Sequence, residues 1–154
     1  MKSNKKIKAF TLSEMIIVLI LTSIVVGLAF SVLTLVQKHM FSIQKNYNKT
    51  TELNKLEVAL HLDFNRYSKV NYNNLKNEII FTSPIDSMSY MFYENMIIKE
   101  TDTFNIHLQN KMFFFNGETV ANGEVDALKL MTSKDFQNQV VFIYKKNDAS
   151  NYMN

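Results

Sequence analysis

The sequence predicts an α+β chain: a long N-terminal helix, first membrane-spanning and then amphipathic, whose second half packs against a C-terminal antiparallel β-sheet. Three observations predict it. Met15 to Val36 is a run of 22 residues without a charge, a Pro or an Asn. Leu53, Leu56, Leu60, Phe64 and Tyr67 then recur at spacings of 3, 4, 4 and 3, one face of an amphipathic helix. From Glu78 onward the apolar residues fall into short alternating segments separated by Asn and Gly, the order of helix then strands that marks α+β chains.

The chain begins with a basic head, Lys2, Lys5, Lys6 and Lys8. Without these four lysines the chain carries 13 Lys and Arg against 14 Asp and Glu, so the formal charge of +3 belongs to the head. A pI set by so local a cluster gives no reason to expect nucleic acid as a partner. A basic cluster before an apolar helix is instead the positive-inside pattern, which places the N-terminus in the cytoplasm and the remaining domain across the membrane. Lys38, Lys45 and Lys49 on the far side weaken that asymmetry. The chain has no Cys, which excludes disulfide staples, thiolate nucleophiles and Cys-based zinc sites.

At a rise of about 1.5 Å per residue the apolar run reaches roughly 33 Å, enough for a bilayer core of about 30 Å. It is too long for the apolar region of an ordinary secretory signal, and no A-x-A site follows it. The small residue, Ala9, precedes it, and Phe10, Thr11, Leu12, Ser13 and Glu14 stand between. A carboxylate at the head of a membrane helix is a functional candidate that needs a partner, although a helix N-terminus favours negative charge in any case. Ser23, Gly27 and Ser31 recur every four residues and form a small-residue stripe that allows another helix to approach closely.

Lys8-Ala9-Phe10-Thr11-Leu12-Ser13-Glu14, followed by Met-Ile-Ile-Val-Leu-Ile-Leu, resembles the prepilin signal of type IV pilins and type II secretion pseudopilins. The resemblance covers about 28 positions and departs at Ala9, where that family usually has Gly. It implies cleavage between Ala9 and Phe10 by a prepilin peptidase, N-methylation of the new Phe10 amine, and pairing of Glu14 with the Phe10 amine of a neighbouring subunit. It also implies a pilin-like fold, other pilins or pseudopilins and an inner-membrane assembly platform as partners, and residence in the bacterial inner membrane until assembly into a filament. The absence of Pro from the span favours a minor subunit.

After Val36 no Gly or Pro stops the helix before Tyr67, and it is expected to run from about Thr11 to Ser68, with the polar stretch Gln44 to Thr51 as its weak point. Val70 to Asn77, rich in Asn and Tyr, reads as a connecting loop. Strands are expected at Glu78 to Thr82, at Tyr90 to Tyr93 and Met96 to Lys99 around a Glu94-Asn95 turn, and at Phe104 to Leu108 and Met112 to Phe115 around Gln109-Asn110-Lys111. A last hairpin pairs Val125 to Thr132 with Gln139 to Lys145, and Asn116-Gly117 and Asn122-Gly123 mark turns. The organisation is then a leader over 1–9, a membrane and filament-core helix over 10–36, its amphipathic continuation over 37–69, an antiparallel sheet domain over 70–147 and a loose tail over 148–154.

No catalytic chemistry is expected. There is no G-x-S-x-G, no Walker A and no G-x-G-x-x-G, and the three glycines, Gly27, Gly117 and Gly123, cannot form a phosphate-cradling loop. Glu57 and His61, one helical turn apart with Asp63 nearby, could hold a metal, but a solvated pair is the plainer reading. Glu100, Asp102 and Thr103 could suggest calcium, and a polar turn explains them as well. Met112-Phe113-Phe114-Phe115 could be an exposed aromatic contact site, but a strand buried on both sides is the plainer reading. No cofactor and no metal are expected. The function these readings favour is a minor pilin or pseudopilin, a structural subunit of a type II secretion pseudopilus or type IV pilus. The alternative is an uncleaved, single-span, membrane-anchored binding module. A DNA-uptake pilin would want a basic strip on the domain, which the charge of the mature chain does not favour.

Overall fold

The computed structural model describes residues 11–145. The leader over 1–9 and the tail over 148–154 lie outside the described residues. Among the described residues one α-helix, α1 (Leu12–Arg66), is followed by ten strands, all paired antiparallel, with a single 3-10 turn, Lys134–Phe136, before the last strand. By packing, the chain divides into a first unit ending at Gln44 and a second beginning at Lys45. The first unit contains only helix among the described residues, and its apolar side chains are exposed from Leu12 to Ile43. Gln44 to Thr51, the expected weak point, lies within α1.

In the second unit the helix segment and the strands share one core. Leu53, Leu56, Leu60, Phe64 and Tyr67 are all buried, as their spacing predicts. Phe64 meets Phe81 edge-on with ring centroids 5.1 Å apart, and Tyr67 lies 6.0 Å from the same ring. Leu60 sits at the centre of this stripe, fully enclosed. Leu60→Ala is expected to cost about 2–5 kcal/mol through lost transfer energy and a cavity, read as a lower urea midpoint in pulse proteolysis of the detergent-solubilised chain.

The strands form two sheets rather than the single sheet expected. Sheet A has the order β5-β4-β3-β2-β1-β8, with β1 Lys69–Asn73, β2 Glu78–Thr82, β3 Ser87–Phe92, β4 Ile97–Lys99, β5 Asp102–Phe104 and β8 Gly123–Glu124. Sheet B has the order β10-β9-β6-β7, with β6 Leu108–Phe115, β7 Glu118–Val120, β9 Ala127–Thr132 and β10 Val140–Tyr144. The chain leaves sheet A after Phe104, where Ile106 donates its N–H to the Phe104 carbonyl at 3.0 Å and buries its own side chain completely. Stacking of Tyr72 on Phe113, with centroids 3.6 Å apart, joins the two sheets.

Four local expectations are corrected. Lys69 to Asn73 is a strand, not part of a loop: Val70 and Tyr72 are buried, while Lys69 and Asn71 face solvent. Period-two alternation outweighs the turn preference of Asn. Gln109-Asn110-Lys111 is not a turn but the solvent-facing start of β6, with a bulge between Leu108 and Asn110 against β9. None of the three has positive φ; the Asn116-Gly117 turn that follows has φ of 52° and 84°, the backbone of a tight hairpin. Phe104 to Leu108 consequently never forms a hairpin with Met112 to Phe115, since β5 pairs with β4 and β6 with β9. The Met112–Phe115 segment is not buried on both faces either: Phe113 is enclosed and Met112 is exposed. The β3–β4 turn at Glu94-Asn95 and the β9–β10 hairpin match the expected strands, with Val141 and Ile143 buried opposite exposed Val140, Phe142 and Tyr144.

Candidate functional site

The first turn of α1 is built by Thr11 and Glu14. The Thr11 N–H and its hydroxyl both donate to Glu14 Oε2, at 2.9 and 3.0 Å. In return the Glu14 N–H approaches Thr11 Oγ1 at 3.4 Å, and the Thr11 and Ser13 hydroxyls lie 3.1 Å apart. Thr-x-x-Glu is thus a reciprocal capping box, in which each residue satisfies the other's otherwise unpaired N–H. At the edge of a bilayer such satisfaction counts for more, because lipid offers the backbone no partner. The carboxylate also stands where the helix dipole favours a negative charge.

Beyond Glu14 the helix is long and apolar enough to cross a membrane, and no residue of its most apolar stretch is buried within the chain. Three of the hydroxyls within it are satisfied by the helix itself. Ser23 Oγ and Thr22 Oγ1 donate to the Leu19 carbonyl at 2.8 and 3.0 Å, and Thr34 Oγ1 to the Phe30 carbonyl at 2.8 Å. Ser23, Gly27 and Ser31 share one face, and a Cβ added at Gly27 would meet nothing within 4 Å.

Residues 4–30 match a family model described as the prokaryotic N-terminal methylation motif. The chain carries a prepilin-type N-terminal signal. That signal spans most of the basic head, the capping box and about the first three-quarters of the apolar run, and it implies processing by a prepilin peptidase and assembly with other pilins. The long helix followed by antiparallel sheets is a pilin-like arrangement. Comparison with curated proteins and with solved structures gave no match.

Of the signal residues read from the sequence, Thr11, Leu12, Ser13 and Glu14 come together in the first turn of α1. Lys8, Ala9 and Phe10 lie outside the described residues. Asp63, by contrast, does not join Glu57 and His61. It turns into the core, where the Tyr90 hydroxyl donates to Oδ2 and the Lys99 ammonium lies 2.9 Å from the same oxygen. Among the described residues no three His, Asp or Glu side chains gather as metal ligands would. The heptad spacing 53, 56, 60, 63, 67 places Asp63 on the apolar stripe, and an acid there is the mark of a buried partner. Lys99, on β4, gives no comparable signal before the sheet is assembled.

Proposed function

We propose that this chain is a minor pilin or pseudopilin, a structural subunit cut by prepilin peptidase and assembled into a type II secretion pseudopilus or a type IV pilus. The observation that carries the reading is the methylation motif over residues 4–30, running directly into an exposed apolar helix whose first turn is capped by Glu14. In this reading the leader lysines hold the N-terminus in the cytoplasm and are removed with Ala9. Phe10 becomes the methylated N-terminus. The apolar helix first anchors the subunit in the inner membrane, with the sheet domain outside the cytoplasm, and later packs in the filament. Ser23, Gly27 and Ser31 present the face for close helix approach, since their small side chains let backbones come together where no hydrophobic force drives association.

Mass spectrometry of the chain from its native membrane tests this directly. The expected N-terminus is N-methylated Phe10, lost in a cell without prepilin peptidase. An intact Met1 on a membrane-inserted chain would overturn the reading and leave a single-span anchor carrying a binding module.

A further inference from the structure

Gln109 and Asn110 face solvent, and from Lys111 onward β6 presents alternate residues to the core. Lys111 and Phe113 share the core side, since their partners across to β9 are Leu130 and Leu128, both fully buried. An apolar residue is what that side calls for, and the sequence supplies an ammonium at its first position. The Lys111 side chain is partly enclosed, and its nitrogen lies 5.6 Å from the centre of the Phe92 ring. An aromatic face offsets part of the cost of enclosing a cation but brings no counter-charge. None of the ion pairs among the described residues includes Lys111. Burial accordingly pushes its ammonium below the ordinary lysine range. Lys99 is enclosed as well, but it meets Asp63 there.

Two clefts meet at Lys111. One, of about 580 Å³, opens between the end of β1 and the β6–β7 hairpin, and the other, of about 320 Å³, between the β3–β4 turn and the start of β6. Lys111 and Asn110 line both. The larger is within the size range of small-molecule sites, roughly 300–1,000 Å³. Its floor is apolar: Tyr72 stacks on Phe113 with centroids 3.6 Å apart, and Val120 lies opposite Phe113 in the register. Its rim carries the neutral hydrogen-bonding groups of Asn74, Asn110 and Thr119. The Tyr72 hydroxyl shares its proton between Asn77 Oδ1 at 3.1 Å and Asn74 Oδ1 at 3.3 Å. That fixes the Asn74 amide and leaves its NH2 group to donate elsewhere. No acid lines this cleft, and Glu94, on the smaller one, makes no ion pair with Lys111.

We propose that the cleft at Lys111 binds a sugar bearing a carboxylate, with Lys111 pairing the carboxylate and the rim holding the hydroxyls. The lining selects this class. One ammonium balances one carboxylate but leaves a phosphate under-compensated. Asn and Thr side chains both donate and accept, which matches sugar hydroxyls, whereas a phosphate takes donors alone. The apolar floor fits the C–H face of a sugar ring, and a bare ion would leave it uncovered. The site does not depend on cleavage at Ala9.

Saturation-transfer NMR on the full chain in detergent tests this. Glucuronic acid and N-acetylmuramic acid are the probes, standing for an acidic polysaccharide and a cell-wall glycan; glucose and acetate supply the neutral sugar and the bare carboxylate. At least one acidic sugar is expected to bind saturably, with glucose and acetate each about tenfold weaker or more. Lys111→Met keeps most of the side-chain volume and is expected to weaken the acidic sugar about tenfold while leaving glucose unchanged. Asn74→Ala with Thr119→Val is expected to weaken acidic sugar and glucose alike. Lys129→Met removes an equal charge from the other face of sheet B and is expected to change neither. Wild-type protease resistance of each variant checks folding. Saturable binding of neither acidic sugar overturns the proposal, as does a Lys111→Met chain that binds like wild type. Acetate or inorganic phosphate held as tightly as the acidic sugar overturns it too, since the site would then take simple anions.

Discussion

Glu14→Ala is expected to leave the chain inserted and processed but to remove it from the assembled filament. The carboxylate accepts two bonds from Thr11 through one oxygen. In the proposed subunit it also faces the Phe10 amine of a neighbour. A charge-assisted bond of that kind is worth about 1.5–3 kcal/mol, which corresponds to roughly ten- to hundredfold in assembly equilibrium. Insertion does not suffer, because an acid in an apolar helix opposes entry into lipid and Ala does not. Two further variants separate the cap from the charge. Glu14→Gln keeps a capping-box side chain and discards the charge, whereas Thr11→Val discards the cap and keeps the charge. If the intersubunit ion pair governs assembly, Gln behaves like Ala and Thr11→Val loses far less. The readout is the fraction of chain in sheared filaments against the fraction in membrane, in a cell lacking the wild-type chain. Wild-type assembly of Glu14→Ala would refute the assignment.

The N-terminal half was readable because its determinants are local. The prepilin-type signal is a fixed order of residues and the apolar face of α1 only a repeat, so Thr11, Glu14 and the Leu53-to-Tyr67 stripe could be placed without tertiary information, whereas the mutual capping of Thr11 and Glu14 emerged only with the geometry of the first turn. The hairpin of β9 and β10 was likewise visible in the alternation of Val141 and Ile143 with their exposed neighbours. Reading failed where composition opposed periodicity. Asn71 and Asn73 look like loop residues, yet they line the outward side of β1, a strand held between β2 and β8. Gln109, Asn110 and Lys111 look like a turn, yet β6 continues through them because β9 supplies a partner along its length. The division into two sheets was hidden for another reason: it depends on Ile106 finding a buried site at the crossing, a long-range event with no local mark. The same holds for the edge position of β10, which follows from strand order alone.

Removing the cation beside Asp63 is expected to be the most destabilising single change in the second unit. Asp63 on α1 is almost fully enclosed, Lys99 on β4 is only about a fifth exposed, and their charged atoms lie 2.9 Å apart. Tyr90 on β3 donates to the same carboxylate oxygen, and the Lys99 ammonium lies 5.5 Å from the centre of the Tyr90 ring. Burial, and after it the hydrogen bond to Asp63, push the Tyr90 hydroxyl well above its ordinary range. It therefore remains a donor at neutral pH, and its contribution is full below about pH 10 and declines only in stronger base. Lys99→Met keeps most of the side-chain volume but strands a buried carboxylate with one neutral donor. The expected cost is about 3–5 kcal/mol, a large share of the roughly 5–15 kcal/mol that holds such a domain. It is read as a fall in the urea midpoint by pulse proteolysis. Buried ion pairs return little net stability against well-packed apolar replacements, so the combined variant Asp63→Leu, Tyr90→Phe, Lys99→Met is expected to recover most of the loss. A loss below about 1 kcal/mol for Lys99→Met would mean that water or a rearranged side chain solvates Asp63. Recovery in the combined variant together with a large single loss would show that the cluster fixes how α1 sits on sheet A rather than supplying net stability.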